Sequence, residues 1–156
     1  MKSYSERTLG LAERFLDEVK LDVERDASEG MDTPPRLRVV HERPGHATPE
    51  YRTMTLPLPN GGEPFPEFLS GTIARYAREK LPDRLILALE VVQPDESGAA
   101  RPVIIAEARD RRGTRLFLLQ PYRVAGSQVE WGKPAGDGWR DPGAEDLILD
   151  QAFEEG

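Results

Sequence analysis

The chain has 156 residues, a net charge of −7 and an isoelectric point near 5.0, with 38% hydrophobic and 31% charged residues. A chain of this length buries roughly two thirds of its unfolded surface, so a single α+β domain over residues 1–156 is expected to stand on its own core, with no cofactor. The acidic balance argues against nucleic acid and anionic membranes as partners. The absence of cysteine excludes disulfides, thiolate metal sites and thiol catalysis, and fits a cytoplasmic location.

Residues 1–6 run straight into a charged amphipathic segment, without the apolar core of a secretory leader. The spacing of Leu9, Ala12, Leu16, Val19 and Val23 predicts a helix over residues 5–26. Ser3 and Glu6 stand at capping-box spacing before it, and Gly30 and Pro34-Pro35 follow its end. Two strands come next, residues 36–42 and 51–58, joined by the loop Arg43-Pro44-Gly45-His46-Ala47-Thr48-Pro49. Pro57 and Pro59 place the second strand at a sheet edge, because proline cannot donate to a ladder. Asn60-Gly61-Gly62 reads as a turn. A second helix is expected to begin within residues 64–66 and run to Lys80, with Pro82 closing it.

Three nearly continuous apolar runs follow, over residues 85–92, 103–108 and 115–122. Runs so short and so apolar predict strands covered on both faces. Asp95-Glu96-Ser97-Gly98 and Asp110-Arg111-Arg112-Gly113 are the turns of a meander. A fourth strand is expected over residues 128–133, then a loop to residue 143 anchored by Trp139. Asp141-Pro142 has helix-start chemistry, which predicts a short helix over residues 144–153. The expected fold is therefore one antiparallel sheet, a meander of three or four central strands plus an N-terminal strand pair. Two main helices and a short C-terminal helix flank it, in the order α-β-β-α-β-β-β-(β)-α. That element order resembles the profilin-like and roadblock/longin architectures. No motif residues accompany the likeness, so it implies a fold and no activity.

Glu90 and Glu107 are each the sole charge inside an apolar strand run. If Gln93 pairs with Pro102, Glu90 faces Ile105 and Glu107 faces Ala88, and both carboxylates share one sheet face. So placed, they are candidate catalytic residues, as an acid–base pair or as shared ligands of a divalent ion. A one-residue slip of the register separates them, and pairing with Arg109, Arg115 or Arg123 is the plainer expectation. Glu107-Ala108-Arg109 also resembles the E-x-K strand of PD-(D/E)xK nucleases. Here Arg109 replaces the lysine, the next segment is a hairpin, and the upstream aspartates, Asp83 and Asp95, fall at the ends of the preceding strand. His41 and His46 are the two histidines; Glu42 points to the opposite strand face from His41, His46 sits in a Pro-Gly loop and no third ligand joins either, so no metal site is expected. Tyr122, Phe117, Trp131 and Trp139 are expected to anchor the core, and an exposed Trp131 would mark an interface.

Two functional expectations follow. The first is a non-enzymatic protein-interaction domain acting as a homodimer or a small adaptor, because an edge strand and apolar helix faces offer association surfaces. The second is an enzyme or small-ligand-binding domain with its site on the sheet face around Glu90 and Glu107.

Overall fold

A computed structural model describes residues 2–31, 33–56 and 66–154. The expectations for residues 57–65, including Pro57, Pro59 and the Asn60-Gly61-Gly62 turn, lie outside the described residues. Helix α1 spans Tyr4–Ser28, and the Ser3 hydroxyl accepts the Glu6 N–H at 3.2 Å, satisfying one of the first-turn donors. The strands are β1 (Arg36–His41), β2 (Glu50–Thr55), β3 (Arg84–Pro94), β4 (Ala100–Asp110), β5 (Arg115–Ala125) and β6 (Gln128–Trp131). Helix α2 covers Pro66–Lys80 between β2 and β3. Leu81, at φ 48°, ends it in a left-handed turn.

All six strands form one antiparallel sheet in the order β2-β1-β3-β4-β5-β6. The three apolar runs are its adjacent strands β3, β4 and β5, and β2 lies at the edge. Side chains alternate between two covered faces. Ile86, Ala88, Ile104, Ala106, Ala108, Leu118 and Tyr122 pack under Ala12, Phe15, Leu16, Val19 and Val23 of α1. On the opposite face Leu37, Val39, Leu85, Leu87 and Leu89 pack under Leu69, Ile73 and Ala77 of α2 and under Leu149. Burial on both faces is the reason these strands carry apolar residues at successive positions instead of alternate ones.

The C-terminal segment departs from expectation. Residues 144–147 are not helical, and only a 3-10 helix at Ile148–Phe153 forms. Asp141 uses its carboxylate to take the Gly143 N–H at 2.7 Å, and Gly143 adopts φ 64°, so a turn replaces a helix start. Three consecutive backbone donors then go to side chains: Leu147 to Asp150, and Ile148 and Leu149 to Glu107. A segment whose N–H groups are taken by carboxylates has less to gain from an α-helical ladder.

Candidate functional site

The register of β3 and β4 decides the fate of the two glutamates. Glu90 pairs with Ile104 and Glu107 with Leu87, one residue from the expected pairing. The cause is the connecting loop: Pro94 closes the ladder against Ala100, and Asp95 ties residues 95–99 together by accepting the Ser97 and Ala99 N–H groups. Because strand side chains alternate, one residue of slip sends the two carboxylates to opposite faces. Glu90 lies half-buried on the α1 face and accepts the Tyr122 hydroxyl. Glu107 lies on the α2 face, 3% exposed, with one oxygen on the Ile148 N–H at 3.1 Å and the other on the Leu149 N–H at 3.0 Å. Burial pushes Glu107 up to about 7; the two backbone bonds oppose that rise without cancelling it.

The arginines expected to answer these glutamates have other partners. Arg109 and Arg115 both bind Asp150, at 2.6 and 2.9 Å, and Arg123 pairs with Glu130. Burial raises the Asp150 carboxyl, but bonds from Arg115, the Leu147 N–H and Arg109 outweigh it and hold Asp150 below its ordinary value. His41 donates its Nε2–H to the Lys80 carbonyl at 2.8 Å, and His46 lies in the β1–β2 connection. Among the described residues no three His, Asp or Glu side chains gather as metal ligands. Trp131 is half-buried, donates Nε1 to Glu24 at 2.9 Å and tilts against Tyr122 with ring centroids 5.2 Å apart.

A different constellation lies at the β2 edge. The Leu56 N–H reaches the Pro35 carbonyl at 2.9 Å, so residues 50, 52, 54 and 56 turn their backbone groups toward β1. Tyr51, Thr53 and Thr55 therefore direct their N–H and C=O groups away from the sheet. All three are exposed. Their side chains face the α1 side, opposite Val40, Arg38 and Arg36 of β1. There a groove of about 520 Å³ separates β2 from α1, with Leu21 at its rim, 65% exposed.

Arg38 is the floor of that groove. Its guanidinium lies 4.8 Å from the Phe15 ring and 4.4 Å from the Tyr51 ring, between the two. It donates to both Glu18 oxygens, at 2.6 and 3.1 Å, and to the Thr53 hydroxyl at 2.9 Å. The bond from Arg38 is the largest influence on Glu18 and draws its carboxyl below the ordinary value. Arg38 thus joins α1, β1 and β2 while only 5% exposed. In the sequence it is one polar residue in an alternating strand; the signals that mark it, Glu18 and Tyr51, are 20 residues before and 13 after it.

No family model, curated protein or solved structure matches the chain. No helix among the described residues is long and apolar enough to cross a membrane.

Proposed function

We propose that the protein is a non-enzymatic interaction domain that takes an extended segment of a partner polypeptide along the free edge of β2. The observation behind this reading is the outward-facing backbone of Tyr51, Thr53 and Thr55 on an exposed edge strand. Main-chain pairing supplies affinity at such an edge, and a neighbouring groove selects side chains. The opposite edge offers less: β6 has four residues, and its Trp131 is held by Glu24 and Lys20 of α1. Arg38 favours the same location, because a floor already clamped by Glu18 and two rings loses little freedom when a partner arrives. The enzyme reading has lost its motive, since Glu90 and Glu107 do not share a face. A homodimer is the case in which a second copy supplies the added strand.

Thr53→Pro tests the reading. It deletes an outward N–H and spares the inward bonds of Arg52 and Met54, and proline is tolerated on edge strands; Thr53→Val, which loses only the hydroxyl that Arg38 holds, is the control and should keep the adduct. With a photo-crosslinking residue in place of Tyr51, the full chain in its own cells is expected to form one discrete adduct, with a partner or with itself. Thr53→Pro should abolish that adduct while leaving the thermal melt within a few degrees of the parent. A chain that forms no adduct from position 51 and stays monomeric by light scattering would overturn the proposal.

A further inference from the structure

A second cleft, of about 520 Å³, opens between the N-terminal part of α1 and the β1–β2 connection, lined by other residues than the Arg38 groove. Lys2, Arg7, Arg14 and Arg84 line it, against one carboxylate, Glu42. This local excess of cations stands in a chain whose net charge is −7. Arg7 lies over the Tyr4 ring at 5.6 Å, and Arg14 acts on Glu18 one turn on through charge alone, with no ion pair within 4.0 Å. Arg84 is fully buried at the back of the cleft. The Thr8 hydroxyl at 2.7 Å, the Tyr4 carbonyl at 3.3 Å and Glu42 hold its guanidinium, which stacks 4.0 Å from the Tyr4 ring.

Gly10 is the second, independent observation. It sits in the second turn of α1, between Arg7 and Arg14 on the same stripe, and a Cβ added there meets nothing within 4 Å. Packing therefore does not require glycine, although glycine weakens a helix interior. Its effect is a bare stretch of helix backbone on the cleft wall, flanked by two guanidinium groups.

We infer that this cleft binds a small multivalent anion of the phosphoryl class, with Arg7, Arg14 and Lys2 contacting its oxygens and Gly10 giving it room. Guanidinium forks match phosphoryl oxygens two at a time, which favours this class over a single carboxylate. The volume suits a small molecule.

The test is a titration of the full 15N-labelled chain with sodium pyrophosphate, followed by amide shifts, with sodium chloride at matched ionic strength and citrate as controls. Saturable shifts are expected at residues 7–14 and 42–49. Arg7→Gln with Arg14→Gln, both exposed, should weaken binding by about tenfold or more. Gly10→Leu should weaken it as well while keeping every charge. The inference is overturned if sodium chloride reproduces the shifts, or if Gly10→Leu binds like the parent, which would mean diffuse attraction to a charged surface. Citrate binding as tightly as pyrophosphate would overturn the phosphoryl assignment.

Discussion

Glu107 shows how a single side chain can hold a segment in place and still work against stability. It receives the first two donors of the 3-10 helix, Ile148 and Leu149, and in doing so is removed from water. Its ordinary value is 4.5 and its folded value is about 7. Between those values the folded chain keeps a proton that the unfolded chain has released, so stability falls as pH rises through the window. The whole change is at most about 3 kcal/mol. Asp150, held low, acts in the opposite direction, but its effect is lost only as pH falls below its ordinary 3.8, outside this window. Urea unfolding at about pH 5 and about pH 8 should therefore give the larger free energy at the lower pH. Glu107→Gln, neutral throughout, should flatten that difference. An unchanged pH slope in the variant would show that Glu107 is not its source.

Among the elements, α1 serves two masters. Its apolar stripe is readable: Ala12, Leu16, Val19 and Val23 are buried, while Leu9, at the end of the stripe, is half-buried. Gly10 breaks the helical logic on the other side. Gly10→Ala places a methyl group in open space and removes the entropy cost of glycine. It should raise stability by about 0.5–1 kcal/mol, seen as a higher urea midpoint with an unchanged slope. A loss of stability would mean that Gly10 is needed for packing, and the cleft argument would lose its independent support. Strand β2 was legible as an edge from the prolines that follow it, but its free backbone groups were not. Which residues point outward depends on the ladder with β1, through the Leu56–Pro35 bond, and no local pattern states that phase.

At the scale of the whole molecule, the sheet needs both layers, and the second is incomplete without the C-terminal strap. Leu149 is fully buried with Leu37, Leu85 and Leu87 below α2, and Asp150 clamps Arg109 and Arg115 beside it. Leu149→Ala should cost about 2–5 kcal/mol in urea unfolding. A cost under 1 kcal/mol would mean that the strap merely rests on the sheet. The sequence alone determined the element order, the three central strands and the apolar stripes, because periodicity and turn chemistry are local properties. Only the tertiary structure decided the rest. A five-residue loop closed by Asp95 set the register that parted Glu90 from Glu107. The groove around Arg38 and the cationic cleft joining Arg84 to Arg7 and Arg14 arise from residues far apart in the chain. Their assembly rests on one-residue choices of pairing and on long-range packing, and neither leaves a trace in a window of neighbouring residues.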